Sequence, residues 1–119
     1  MFKLFIKGDE NFEKAFTKAG KKFELDVNNI KLVSYDNFLA SLIYMIAIAD
    51  KKLYVFSTDN KKPEQFNMSD LKEIRIDKKT DLNLYLRTGR VINLTSVVGV
   101  KPKVLRTFKR LTEELQRFR

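Results

Sequence analysis

The chain has no cysteine, no histidine and no tryptophan, and only four glycines and two prolines in 119 residues. Without cysteine there is no disulfide framework and no thiolate zinc site, which fits an intracellular protein. Without histidine as well, the sequence lacks the commonest general base, the commonest metal ligand and the easiest nucleophile. The close carboxylate pairs, Asp9/Glu10 and Glu113/Glu114, fall on expected helix surface with nothing apolar around them to raise a pKa. Gly8, Gly20, Gly89 and Gly99 are scattered, so there is no glycine-rich phosphate loop. These absences argue against an enzyme, a metal site or a bound cofactor.

Long apolar runs are also missing. The longest, Phe38–Ala49 interrupted by Ser41, is well short of the about 20 residues a membrane-spanning helix needs. The opening Met1–Lys7 is too short for a secretory signal and has no small-residue cleavage site. The expectation is a soluble, cytoplasmic protein. With 44% hydrophobic and 12% aromatic residues, ten of them Phe, the chain can bury one core. No linker or internal repeat divides it, so it reads as one domain over 1–119. The net charge of +9 is concentrated late. Residues 61–90 hold eight basic against five acidic side chains, and residues 91–119 hold seven against two. Such a half favours anionic partners and equally serves to keep a Phe-rich domain in solution.

Periodicity orders the elements. Asp9 is the expected N-cap of a helix from about Glu10 to about Lys22, with Phe12, Ala15, Phe16, Ala19 and Phe23 on one stripe. Gly20 marks its fraying or stop, and Lys18, Lys21 and Lys22 suit its C-terminal end. From Ile30 the period changes to two. Ile30–Tyr35 reads as a strand and Asp36-Asn37 as a turn. Ser41–Ala49 suits a strand buried on both faces, a core helix being the alternative, and the β-rich Leu53–Thr58 that follows makes the pair a hairpin. Asp59–Pro63 reads as a loop, then Gln65–Ser69, Leu71–Asp77, Leu82–Arg87 and Arg90–Thr95 as strands, the last two joined by a tight turn at Thr88-Gly89. Pro102 opens a closing helix whose stripe is Val104, Phe108, Leu111, Leu115 and Phe118. The order is helix, seven strands, helix.

Four segments carry a family resemblance: Ile46-Ala-Ile-Ala-Asp-Lys-Lys-Leu-Tyr-Val-Phe56, Phe66-Asn-Met-Ser-Asp-Leu-Lys-Glu-Ile74, Leu84-Tyr-Leu-Arg-Thr-Gly-Arg-Val-Ile92 and Val104–Phe118. In this order they resemble bacterial pleckstrin-homology-like and GRAM-type domains, over about residues 24–118. The resemblance implies an α+β fold, a bent antiparallel barrel of about seven strands closed by the C-terminal amphipathic helix. Residues 1–23 then form an additional N-terminal helical segment, and residues 24–119 the barrel plus its helix. Phe108 stands where related domains bury a tryptophan. The first hairpin loop, residues 36–39, carries no Lys/Arg cluster of the kind used for inositol phosphates.

In that topology the loops 36–40, 59–64 and 87–90 meet at one end and bring together Lys61, Lys62, Arg87 and Arg90 as the candidate ligand site. Lys51, Lys52, Lys78 and Lys79 gather at the other end. On the closing helix Lys103, Arg106, Arg110 and Arg117 share a polar sector, but Lys109–Glu113, Arg110–Glu114 and Glu113–Arg117 are spaced to pair with each other. The function expected is a non-enzymatic binding or adaptor module for a protein partner, monomeric rather than homodimeric. Peripheral binding to anionic lipids through basic loops is the second reading, and weak nucleic-acid binding the third.

Overall fold

The computed structural model describes residues 2–38, 40–57, 60–78, 81–94 and 102–117, with the side chains of Phe2, Phe38, Asn60, Lys61, residues 102–108 and Thr112 excepted. The chain is an α+β protein of two compact units, Met1–Phe66 and Asn67–Arg119. No helix among the described residues is long and apolar enough to cross a membrane.

The first unit is a five-stranded sheet in sequential order, β1 (Phe2–Ile6), β2 (Ile30–Phe38), β3 (Ser41–Ala49), β4 (Lys52–Ser57) and β5 (Asn60–Asn67). The pairs β1–β2, β2–β3 and β3–β4 are antiparallel. The period-two pattern sorts side chains onto two faces. Ile30, Val33, Tyr35, Met45, Ala47 and Ala49 form one buried face with the apolar stripe of helix α1 (Phe12–Phe23). Leu32, Ile46, Ile48, Leu53 and Val55 alternate with them and are buried too. β3 is therefore the strand buried on both faces that its composition calls for. The α1 stripe is Ala15, Phe16, Ala19 and Phe23, and burying each Phe is worth about 1.5–3 kcal/mol. Phe12 and Phe16 meet edge to face, ring centroids 4.9 Å apart.

Several boundaries differ from the sequence reading. β1 was not expected; Phe2↔Asp36 through Ile6↔Leu32 make it an edge strand of the sheet. Asp9 is not the N-cap of α1. Its carboxylate accepts from the Ile6 N–H at 2.9 Å and its own N–H donates to the Ile6 carbonyl at 2.9 Å, closing the turn after β1 where Gly8 has φ +104°. The cap position is Asn11, whose side chain makes no capping bond.

Gly20 does not end α1 but lies buried inside it. A Cβ there would sit 3.1 Å from the Leu25 carbonyl oxygen and 3.1 Å from Val27 Cγ2. That close approach lets the Gly20 carbonyl accept from both Glu24 and Leu25 as the chain leaves the helix through left-handed Glu24. Asp36-Asn37 is not a turn but lies within β2, and the chain reverses later, where Ala40 has φ +74°. Residues 60–63 are strand rather than loop. Pro63 is tolerated in β5 because β5 ends the sheet order, where a missing N–H breaks no central ladder. Asp59 lies outside the described residues. Met68–Asp70 is a 3₁₀ turn, not the end of a strand.

The second unit is a three-stranded antiparallel sheet, β6 (Leu71–Asp77), β7 (Asp81–Leu86) and β8 (Val91–Asn93), followed by helix α2 (Pro102–Arg117). The β7–β8 turn falls at Thr88-Gly89, as expected. Gly89 has φ +92°, its N–H donates to the Leu86 carbonyl at 3.0 Å, and Leu86 N–H donates to the Arg90 carbonyl at 2.9 Å. Ile74, Leu82, Leu84, Leu86 and Ile92 are buried. α2 packs along β6 and buries Leu111 and Leu115. Phe118, Thr95 and the Phe108 side chain lie outside what is described. The strands form two sheets, with no closed barrel among the described residues.

Candidate functional site

Helix α1 turns one face to the sheet and, beside it, a row of lysines. Lys18, Lys21 and Lys22 are spaced three and four apart, which makes them neighbours on the helix surface. Like charges so placed repel by a few tenths of a kcal/mol per pair. No carboxylate lies within ion-pair distance of any of the three among the described residues. Two of them bend back over the sheet instead. Lys18 Nζ lies 5.3 Å from the centroid of the Tyr35 ring and Lys22 Nζ 3.8 Å from that of Phe56. Cation–π contacts of this kind are worth about 0.5–1 kcal/mol at exposed sites, enough to bias the ammonium groups toward the sheet.

The lysines rim an open cavity of about 490 Å³ between α1 and the β2–β3 hairpin. Its floor is Tyr35, Leu42 and Met45, the first and last nearly buried. A second cavity of about 420 Å³ shares Lys22 and continues past the end of α1 to Phe23, Glu24, Tyr54 and Pro63. Both are lined wholly by the first unit. In sequence these lysines mark the C-terminal end of the helix and no site. Their signal was the i, i+3, i+4 spacing next to the phenylalanine stripe; the floor comes from strands more than ten residues away and had no local signal.

The four residues expected to form a ligand site are divided between the units. Lys62 is exposed on β5, and the Lys61 side chain lies outside what is described. Arg87 and Arg90 flank the β7–β8 turn of the second unit, with Arg87 Nε donating to the Ser69 carbonyl at 2.8 Å. Neither unit alone brings the four together. On α2 an ion pair joins Arg117 and Glu114, 3.2 Å apart. This matches the expected self-pairing in kind, at a spacing of three rather than four. Lys79 and the Lys103 and Arg106 side chains lie outside what is described.

One polar cluster in the second unit was not anticipated. The Tyr85 hydroxyl and Asn83 Nδ2 (2.7 Å) donate to one oxygen of Asp77, and Arg75 Nε (3.0 Å) to the other. Arg75 also reaches Glu73 at 3.2 Å and lies 4.3 Å from the Tyr85 ring centroid. The Tyr85 bond above all, then Asn83, with Arg75 nearby, holds Asp77 below its usual pKa. A carboxylate so held keeps its negative charge and is a poor proton donor. Among the described residues no group of three His, Cys, Asp or Glu side chains could hold a metal ion. No family profile, curated protein or solved structure matches this chain.

Proposed function

We propose that this chain is a non-enzymatic binding module that takes an acidic segment of a protein partner into the groove between α1 and the β2–β3 hairpin. The observation that carries this reading is the set of three ammonium groups, Lys18, Lys21 and Lys22, unpaired by any carboxylate among the described residues and rimming an apolar floor. An acidic residue next to an apolar anchor satisfies both parts of such a groove. The pleckstrin-homology-like architecture is proposed with it. Its support is the order of elements: a four-strand run β2–β5, a three-strand run β6–β8 and a closing amphipathic helix, with β1 and α1 added in front.

Anionic membrane attachment is the weaker reading, because the groove's apolar residues form a floor below the lysines and do not project to meet a bilayer. Among the described residues the exposed large hydrophobics are Val27 and Val91. Display selection of random twelve-residue peptides on the intact chain tests the choice. The expected pool is rich in Asp and Glu beside Leu or an aromatic, and that enrichment disappears for Lys18→Glu/Lys21→Glu/Lys22→Glu, checked as folded by circular dichroism. A pool without acidic enrichment, or one indifferent to the triple substitution, overturns the reading. Salt-resistant sedimentation with phosphatidylserine vesicles in place of peptide binding gives the groove to lipid instead.

A further inference from the structure

The two cavities that share Lys22 differ in charge. The first is rimmed by Lys18, Lys21 and Lys22. The second is lined by Glu24 and Glu64 as well as Phe23, Tyr54 and Pro63. Glu24 is exposed and sits just past the last turn of α1 in the left-handed conformation, φ +56°. The C-terminal end of a helix adds about half a negative charge at the same place. The track is therefore basic at one end and negative at the other, with aromatic and apolar floor beneath both.

We infer that the groove selects a charge-polarised segment, acidic where it crosses Lys18 and Lys21 and basic where it reaches Glu24, with an apolar residue between. The inference rests on the proposed acidic-segment reading and adds a second, opposite specificity to it. Spacing follows from the helix. From Lys18 to Glu24 the chain climbs about 9 Å at 1.5 Å per residue. An extended ligand covers that in about three residues at 3.3 Å each. A Lys or Arg therefore belongs about three positions from the acidic pair. The track orders charges, not backbone direction, so either order along the ligand fits it.

Two fluorescein-labelled peptides test this in anisotropy titrations with the intact chain: Asp-Glu-Leu-Ser-Arg flanked by Gly-Ser spacers, and the same peptide with Glu for Arg. Wild type is expected to prefer the Arg peptide by about tenfold, the scale of one well-placed charge contact. Glu24→Lys is expected to invert that preference, and Glu24→Gln to abolish it while keeping the fold. Equal affinity of both peptides for wild type and for Glu24→Gln overturns the inference but leaves the acidic-segment reading standing. Failure of both peptides to bind wild type overturns the two together.

Discussion

The hydroxyl oxygens of Tyr44 and Ser34 lie 3.0 Å apart on neighbouring strands of the five-stranded sheet, with both side chains fully buried. Ser34 has one proton, and its oxygen already donates to the Lys3 carbonyl at 2.9 Å. The Tyr44 hydroxyl is therefore the donor to Ser34. This short relay ties β3 through β2 to β1, the edge strand that the sequence did not announce. Ser34→Ala strips a donor from Lys3 and an acceptor from Tyr44 and is expected to cost about 1–3 kcal/mol. Tyr44→Phe removes the bond to Ser34 and should cost nearer 1 kcal/mol. Urea unfolding that ranks the two the other way would contradict the relay.

Burial, with the charge of Asp36 adding to it, pushes the Tyr44 hydroxyl well above its usual pKa of 10.0. Above pH 10 the unfolded chain loses this proton while the folded chain keeps it, so the contribution to stability is full below that pH and declines as pH rises. Unfolding midpoints measured between about pH 9 and 11 should fall more steeply for wild type than for Tyr44→Phe. Parallel curves would show that Tyr44 takes no part in alkaline unfolding.

Asp77 has the opposite linkage. Its depressed pKa contributes stability above the unfolded carboxylate value, and that contribution is lost as pH falls through the folded value. Tyr85→Phe removes the largest cause of the depression. Carboxyl-carbon NMR titration should then find Asp77 protonating at higher pH than in wild type. An unchanged midpoint would mean that Arg75 and Asn83 hold the charge without Tyr85.

The β3–β4 turn places Asp50 and Lys51 at φ +51° and +63°, a type I′ geometry built without glycine. A left-handed lysine costs about 1–2 kcal/mol relative to its preferred backbone. Lys51→Gly is expected to stabilise the chain by up to about 1 kcal/mol, since Asp-Gly favours this turn and glycine gives back some entropy to the unfolded chain. A loss of stability would mean that the Lys51 side chain contributes more than its backbone costs.

The parts of the fold legible in the sequence were those with a strong local period. The Leu82–Leu86 alternation, the Thr88-Gly89 turn and the apolar α1 stripe follow from spacing and turn chemistry, and the strand at Ser41–Ala49 from its composition together with the β-rich run after it. The misread boundaries had a tertiary cause. Asp9 looks like a helix cap until β1 exists for it to close against. Asp36 and Asn37 look like a turn until β3 pairs with both and β1 holds Asp36 from the other side. Pro63 looks like loop until its place at the sheet's edge is known. The candidate site was half legible: the lysine spacing was on the page, but its floor of Tyr35, Leu42 and Met45 depends on which face of the sheet α1 covers.

The most direct test of the account is the map of amide shifts on the ¹⁵N-labelled chain when the Asp-Glu-Leu-Ser-Arg peptide is added. Saturable shifts are expected, centred on residues 18–22, Tyr35, Leu42 and Met45, and absent in Lys18→Glu/Lys21→Glu/Lys22→Glu. Shifts confined to Lys62 or to the Arg87–Arg90 turn, with α1 unmoved, would contradict it and return the binding site to the loops.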